Sequence, residues 1–249
     1  MCLLTYFAPG ALPDTTALRW GAWRNPHGHG YGIVTGGELL VGHGMDGREV
    51  VAEFAALRAA HPDGPALFHS RYATKGTIGL ANCHPFPLGT DGRTVLAHNG
   101  TLPKRVHPGA YDERSDTRIA AEDYLPTEPF GPVDTRRGRR GLESWLGSSK
   151  LVLLTADRSA YASSAFIFNE DLGVWDVERG IWYSNHTYRA TPLLAGRWLL
   201  RCLCCGHVDQ ARRGRYCRLC GWCFACREPL PDCECAATRI ARPLIGSLF

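Results

Sequence analysis

Cys2 lies directly behind the initiator methionine and can combine two reactive groups in one residue. Once Met1 is removed, Cys2 would carry a thiol and a free α-amine, which titrate within about one pH unit of each other near pH 8. A nucleophile would then have its general base attached to it. The alternative is a small apolar residue that opens a buried strand, because unpaired cysteine is commonly a core residue.

Four further blocks contain residues suited to binding and catalysis. Residues 68–86 read Phe-His-Ser-Arg-Tyr-Ala-Thr-Lys-Gly-Thr-Ile-Gly-Leu-Ala-Asn-Cys-His-Pro-Phe, and residues 95–101 read Val-Leu-Ala-His-Asn-Gly-Thr. The other two blocks are Gly30-Tyr31-Gly32 and Ser115-Asp116-Thr117. In order and approximate spacing, the four blocks and Cys2 resemble the class II glutamine amidotransferase domain, an N-terminal nucleophile (Ntn) hydrolase.

The resemblance covers roughly residues 1–190 and implies both a fold and a reaction. The expected fold is α+β, a four-layer αββα sandwich, followed by a small C-terminal zinc-binding domain. The expected reaction begins with attack of Cys2 on the side-chain carboxamide of glutamine, with the α-amine carrying the proton. Methionine aminopeptidase is expected to remove Met1 because cysteine is small.

The resemblance also implies roles for the other site residues. The Asn99 side-chain amide and the Gly100 N–H would form the oxyanion hole. Arg71 would hold the α-carboxylate of glutamine through its two-pronged guanidinium, Asp116 would hold the α-ammonium, and Thr74 would add a further contact. Taken singly, these residues are also typical of a hairpin turn, a surface ion pair and a helix start. Two residues depart from the family pattern at the rim of the site, Lys75 and Arg118.

Composition and periodicity predict the elements that position these residues. Mixed strands and helices with antiparallel hairpins indicate an α+β protein. Strands are predicted over 2–7, 31–35, 38–43, 66–72, 94–97, 150–155, 160–169 and 180–184, with a turn at Gly36-Gly37. Helices are predicted over 48–60, from a cap at Ser115 through Tyr124, and over 142–146. Residues 126–141, with Arg136, Arg137, Arg139 and Arg140, are predicted to form a solvated, mobile loop.

The eleven cysteines divide the chain, because only Cys2 and Cys83 precede residue 202 and nine lie within residues 202–235. This partition predicts a glutaminase domain over residues 1–195 and a cysteine-rich domain over residues 197–249. Paired Cys-x-x-Cys knuckles make the second domain resemble a zinc ribbon with two structural Zn²⁺ sites. The first predicted site is Cys202, Cys205, Cys217 and Cys220, and the second is Cys223, Cys226, Cys233 and Cys235.

Several alternatives stay open for the cysteine-rich domain. The knuckles can pair in an interleaved order, His207 can replace a cysteine, and Cys204 is left over. Disulfides are disfavoured because no secretion signal accompanies the cysteines. Between residues 197 and 249 there are nine arginines and four acidic residues. Nucleic acid is nevertheless a disfavoured partner, because the thiolates of two zinc centres cancel most of this charge.

These observations predict a cytoplasmic glutamine amidotransferase that hydrolyses L-glutamine to glutamate and ammonia. About 50 residues follow the resemblance, too few for a synthase core, so the ammonia is expected to pass to a separate synthase. No run of about 18 apolar residues is present, and no membrane association is expected. The alternatives are an Ntn amidase for another small amide and a nonenzymatic zinc adaptor on a degenerate hydrolase fold.

Overall fold

The computed structural model describes residues 2–90 and 92–189, together with Tyr216, Cys217 and Cys223. The chain divides into two compact units, residues 1–190 and 191–249. The described residues of the first unit form four α-helices: α1 (Thr15–Arg24), α2 (Gly47–Ala60), α3 (Asp116–Ile119) and α4 (Arg136–Leu146). They also form ten strands: β1 (Leu3–Phe7), β2 (His29–Thr35), β3 (Glu38–Gly44), β4 (Ala66–Ser70), β5 (Phe86–Pro87), β6 (Thr94–Asn99), β7 (Lys150–Thr155), β8 (Ala165–Phe168), β9 (Val174–Asp176) and β10 (Ile181–Tyr183).

The strands form two antiparallel sheets. The first has the order β3-β2-β4-β1-β10-β9, and the second has the order β5-β6-β7-β8. In the first sheet, β1 pairs with β4 with Leu3 opposite Ser70. In the second, β6 pairs with β7 with Asn99 opposite Lys150. Cys2, which precedes β1, and Arg71, which follows β4, therefore lie at neighbouring ends of paired strands.

Alternating side chains on the strands build three apolar layers. Leu3 and Phe7 of β1 pack with α1 and α2, whereas Leu4 of the same strand faces the second sheet. On β7, Val152 packs between the sheets and Leu153 packs against α3 and α4. Strands buried on both faces have continuous apolar runs because successive side chains point in opposite directions. The result is the predicted four-layer αββα sandwich, α1 and α2, two sheets, then α3 and α4.

Helix α1 was not predicted from the sequence. Its N-cap is Asp14, whose side chain accepts a hydrogen bond from Ala17 N at 3.0 Å. Gly21 lies in the middle of the helix and breaks the apolar pattern, since glycine weakens helices. A Cβ at Gly21 would overlap the Leu3 side chain, so the glycine allows the helix to pack closely on β1.

The prediction of a solvated loop over residues 126–141 was wrong in its last part, because α4 begins at Arg136. Thr135 caps the helix by accepting a hydrogen bond from Gly138 N at 3.1 Å. Arg139 pairs with Glu143 one turn later at 3.1 Å, and its guanidinium lies over the Phe168 ring at 5.4 Å. Arginine is a good helix former with a long apolar stem, so charge density alone did not indicate a loop.

The strand predicted over 160–169 is shorter, and β8 begins at Ala165. Asp157 explains the difference, because its Oδ1 accepts hydrogen bonds from Ser159 N at 3.0 Å and Ala160 N at 3.3 Å. These bonds hold the preceding residues in a turn. Among the described helices, none has the length and apolar character needed to cross a bilayer.

Candidate active site

Five of the six residues predicted to bind and cleave the substrate line one small cleft of the first unit, and Asn99 does not. Its lining includes Cys2, Arg71, Thr74, Gly100 and Asp116. Cys2 precedes β1, Arg71 and Thr74 follow β4, Gly100 follows β6, and Asp116 begins α3. The structure therefore brings together groups from both sheets and from one outer helix layer. Asn99 is the last residue of β6 and is buried.

The Cys2 thiol is held by the backbone of the loop after β4. Tyr72 N donates to Sγ at 3.3 Å, and Sγ lies 3.6 Å from Tyr72 O. Asn185 Nδ2 donates to the Cys2 carbonyl oxygen at 2.7 Å. Burial raises the pKa of the thiol, and the hydrogen bond from Tyr72 partly opposes this change. The thiol therefore needs a base to become a nucleophile at neutral pH.

Arg71 is buried, and its guanidinium donates hydrogen bonds to the loop that follows β4. Nη1 donates to Thr77 O at 2.8 Å and Nη2 donates to Lys75 O at 2.7 Å. These bonds fold the loop around the guanidinium. Because an arginine has five N–H donors, three remain for other acceptors. Burial lowers the pKa of Arg71, while the neighbouring Asp116 raises it.

Asp116 is fixed at the start of α3 by backbone donors. Leu102 N donates to Oδ2 at 2.9 Å, and Thr117 N donates to Oδ1 at 2.9 Å. Ser115 caps the helix as predicted, its Oγ accepting from Arg118 N at 3.1 Å. Each carboxylate oxygen keeps lone pairs for a further donor, so the group can still bind a cation.

Asn82, which sequence reasoning did not single out, joins the loop that contains Thr77 to Ser115 at the start of α3. Its Oδ1 accepts from Ser115 N at 2.8 Å, and its Nδ2 donates to Thr77 O at 3.1 Å. Thr77 O also accepts from Arg71. Buried asparagine thereby sets the spacing between Arg71 and Asp116. A signal was available, since Asn82 lies inside the quoted block 68–86.

Strand β6 ends at Asn99, and Gly100 follows it with a backbone conformation that few residues can adopt. Gly100 has φ +148°, and a Cβ there would overlap the side chain of Ser149. Asn99 Nδ2 donates to the buried Ser184 Oγ at 2.7 Å. An amide nitrogen carries two N–H groups, and among the described residues this one has a single acceptor. The other N–H has no acceptor among the described residues.

A group of buried histidines lies at the cleft, and two of them, His84 and His98, line it. His69 Nε2 donates to His98 O at 3.0 Å across the two sheets, and His98 Nδ1 lies 3.0 Å from Thr117 Oγ1. The His69 and His84 rings are 4.0 Å apart. Burial lowers the pKa of His29 to about 4, of His69 to about 3 and of His98 to about 4. These side chains are therefore neutral at pH 7 and support the site without adding charge.

The two residues that depart from the family pattern occupy different environments. Lys75 lines the cleft. Arg118 does not, and its Nε pairs with Glu122 Oε1 at 2.7 Å while Nη1 donates to Ala81 O at 3.2 Å. Only Lys75 is therefore in position to alter what the cleft accepts.

Most of the predicted zinc ligands lie outside the described residues, namely Cys202, Cys205, Cys220, Cys226, Cys233 and Cys235. Cys217 and Cys223 are described and buried, and Tyr216 forms an antiparallel bridge with Cys223. Cys217 and Cys223 form no disulfide with another described cysteine. Within the described residues, no cluster of three or more potential metal ligands is present. The two zinc sites remain a prediction.

The fold and the cleft together have the features expected of an Ntn hydrolase: an αββα sandwich with a cysteine just before a central strand. Residues 49–119 match the family model of class-II glutamine amidotransferases. The resemblance predicted from the sequence blocks is thereby confirmed for this segment of the chain. The matched range includes Arg71, Asn99, Gly100 and Asp116 but not Cys2.

Solved structures with similarity to this chain include amidotransferases. Glutamine phosphoribosylpyrophosphate amidotransferase from B. subtilis shares 18% identity over 74% of this chain and 41% of its own, with a TM-score of 0.42. An allosteric regulatory enzyme of purine biosynthesis shares 17% identity over 63% of this chain and 36% of its own, with a TM-score of 0.36. This chain therefore spans less than half the length of either protein.

A glutamine aminotransferase class-II domain protein from Silicibacter pomeroyi shares 14% identity over 73% of this chain and 87% of its own, with a TM-score of 0.33. A search among curated protein sequences found no match.

Proposed function

We propose that this protein hydrolyses L-glutamine to glutamate and ammonia through a thioester on Cys2, and that a separate synthase consumes the ammonia. The single observation that carries the proposal is the common cleft lined by Cys2, Arg71, Gly100 and Asp116. It combines a thiol, a buried cation and a buried anion. Free glutamine carries the complementary groups: a carboxamide, a carboxylate and an ammonium.

The residues divide the reaction among them. Arg71 binds the α-carboxylate and Asp116 binds the α-ammonium, which directs the carboxamide toward Cys2. Sγ attacks the carboxamide carbon, and the α-amine freed by removal of Met1 takes the thiol proton. The second Asn99 N–H and the Gly100 N–H stabilise the oxyanion. The tetrahedral intermediate then expels ammonia, which leaves with a proton from the same amine, and water cleaves the thioester.

The raised pKa of Cys2 fits this division of labour. A buried thiol is mostly protonated at neutral pH, so attack depends on a base close to Sγ. The α-amine of the same residue meets this need without a further side chain. The proposal includes a cytoplasmic setting, where thiols remain reduced.

The test uses the full-length chain, its intact mass and a diazoketone analogue of glutamine, 6-diazo-5-oxo-L-norleucine. We expect loss of Met1, glutaminase activity, and one covalent adduct located at Cys2. Cys2→Ala should lose both activity and adduct, whereas Cys83→Ala, which alters a buried thiol outside the cleft lining, should keep both. Labelling elsewhere, or Met1 retained in active enzyme, would refute the mechanism.

A second candidate is an Ntn amidase for another small amide, and Lys75 is the observation that favours it. A second cation on the cleft lining suits a substrate with one more negative charge than glutamine. Comparing hydrolysis of glutamine with that of γ-glutamyl amides bearing an extra carboxylate distinguishes the two candidates. A preference for the latter that disappears in Lys75→Ala would establish the second.

We also propose that residues 197–249 hold two structural zinc ions and dock the synthase. Support comes from the soft thiolate donors that zinc prefers and from the burial of Cys217 and Cys223. The zinc ions would contribute folding free energy to this segment and take no part in glutamine hydrolysis.

A further inference from the structure

Ser184 and Asn185 follow β10 at the point where its pairing with β1 changes character. The ladder pairs Thr5 with Tyr183, and the next bond runs from Ser184 N to Leu4 O at 2.8 Å. The reciprocal donor, Leu4 N, bonds the Ser184 hydroxyl at 2.9 Å. A side-chain oxygen thus takes the place that a backbone carbonyl would occupy in a continued ladder. The chain can therefore leave the sheet here without leaving the buried N–H of Leu4 unpaired.

The same hydroxyl reaches the second sheet. Ser184 is fully buried, and its Oγ accepts a hydrogen bond from Asn99 Nδ2 at 2.7 Å. A hydroxyl oxygen has two lone pairs, and both are used by these N–H donors. One oxygen therefore ties the strand that follows Cys2 to the strand that ends at Asn99. It also fixes the plane of the Asn99 amide, and with it the direction of the second N–H.

Asn185 holds the backbone of the nucleophile. Its Nδ2 donates to the Cys2 carbonyl oxygen at 2.7 Å. Its Oδ1 accepts from Thr187 N at 2.9 Å, which caps a 3₁₀ turn over His186–Tyr188. The Tyr188 ring stacks on Tyr183 with centroids 3.6 Å apart, which anchors this turn to β10. The amide of Asn185 is therefore restrained at both ends.

We propose that Ser184 and Asn185 are positioning residues of the glutaminase reaction: Ser184 sets the Asn99 amide, and Asn185 sets the main chain of Cys2. The inference rests on the proposed function. Attack requires Sγ at roughly 3–3.5 Å from the carboxamide carbon while donors lie about 2.7–3.1 Å from the oxyanion. The Asn99 amide and the Cys2 main chain are bound by adjacent residues at the end of one strand. The distance between these two groups therefore stays constant. Neither Ser184 nor Asn185 lines the cleft.

The first experiment compares kcat and KM for glutamine in the full-length wild type, Ser184→Ala and a matched control. Ser184→Ala should lower kcat by about 10- to 100-fold, the cost of a misplaced catalytic group, with KM changed by less than about threefold. Thr155→Ala is the control, because Thr155 Oγ1 is equally buried and also has two partners, Thr94 Oγ1 at 2.8 Å and Asp157 N at 3.0 Å. Thr155 pairs with Thr94, which lies at the other end of β6 from Asn99. Its thermal stability should fall comparably while kcat stays within about twofold of the wild type.

A double-mutant cycle separates positioning from general loss of structure. If Ser184 acts through the Asn99 amide, Ser184→Ala should have little further effect on kcat in an Asn99→Ala background. Multiplicative effects would overturn the inference for Ser184. Equal kcat values for Ser184→Ala and Thr155→Ala would also overturn it.

Asn185→Ser tests the second contact, because serine can still cap the 3₁₀ turn but cannot reach the Cys2 carbonyl. It should slow labelling of Cys2 by the diazoketone about 10-fold or more while leaving thermal stability nearly unchanged. Labelling at the wild-type rate would refute the role of Asn185. Absence of glutamine hydrolysis in the wild type would refute the proposed function instead. The crystal structure of Ser184→Ala would then decide the positioning, and an unmoved Asn99 amide would refute it.

Discussion

Arg71→Lys separates recognition of glutamine from hydrolysis of an amide. The substitution keeps one positive charge beside the cleft but removes the planar fork. In the wild type, two N–H groups of Arg71 hold Thr77 O and Lys75 O, and three remain for a ligand. An ammonium has three donors in all, so lysine cannot keep both loop bonds and also form a two-pronged contact with a carboxylate.

The expected magnitude follows from the number of bonds lost. A hydrogen bond to a charged group contributes about 1.5–3 kcal/mol. Loss of one of the two bonds to the α-carboxylate therefore predicts a rise in KM of about 10- to 150-fold, at 1.4 kcal/mol per factor of ten. The Cys2 thiol and the Asn99 amide are held by other residues, Tyr72 and Ser184. The value of kcat should consequently change by less than about threefold.

Steady-state glutaminase kinetics measure both constants, and Arg118→Lys provides the control. Arg118 lies two residues beyond Asp116 and pairs with Glu122, but it does not line the cleft. Its replacement should leave both constants within about twofold of the wild type. Unchanged KM in Arg71→Lys would show that Arg71 does not bind the α-carboxylate. A fall in kcat alone would instead assign Arg71 to folding of the loop.

Three other predictions concern Gly100, the buried histidines and the zinc sites. Gly100→Ala should lower kcat by at least about 10-fold, since its φ is +148° and its Cβ would overlap Ser149; wild-type kinetics would contradict this. Urea titrations should show the free energy of unfolding falling from pH 7 to pH 5 by about 2 kcal/mol for each of His29 and His98, since the pKa of each is about 4 in the folded protein and about 6.5 in the unfolded chain. Protons then bind the unfolded state preferentially as the pH drops toward 4, and a flat profile would contradict this. Metal analysis of reduced, full-length protein should find about two zinc ions per chain, and chelation should leave labelling of Cys2 intact; protein free of zinc would refute the sites.

The sequence pointed to residues of the cleft lining but not to the residues that hold them in place. Cys2, Arg71, Gly100 and Asp116 belong to recognisable blocks, and the structure places all four on one cleft. Ser184 and Asn99 meet only because a strand late in the chain lies between β1 and β9. Ser184 and Asn185 are residue types that are also typical of turns, so they do not reveal the contacts with Asn99 and Cys2, which lie 85 and 183 residues away.

The fold was predictable where periodicity was undisturbed. The α2 helix and the β2–β3 hairpin lie within one or two residues of their predicted bounds. Helix α1 was missed because Gly21 interrupts its pattern, and the first half of α4 was predicted as a solvated loop because it contains four arginines. In both helices a glycine is required by close packing, Gly21 against Leu3 and Gly138 against the Pro132 carbonyl. Such requirements arise from tertiary contacts, which local propensity does not contain.

The two sheets meet at the reactive centre, and this arrangement decides what must remain rigid. Cys2 immediately precedes β1 of the first sheet, and Asn99 ends β6 of the second, so in the proposed reaction the distance between nucleophile and oxyanion donor depends on contacts between sheets. Two polar bonds cross there, His69 to His98 O and Asn99 to Ser184 Oγ. The apolar layer around Leu4 and Val152 sets the spacing, and these bonds set the register. Apolar packing tolerates small lateral shifts, whereas a hydrogen bond weakens steeply with misalignment. The buried polar pairs are therefore what fixes the catalytic geometry within an otherwise apolar interface.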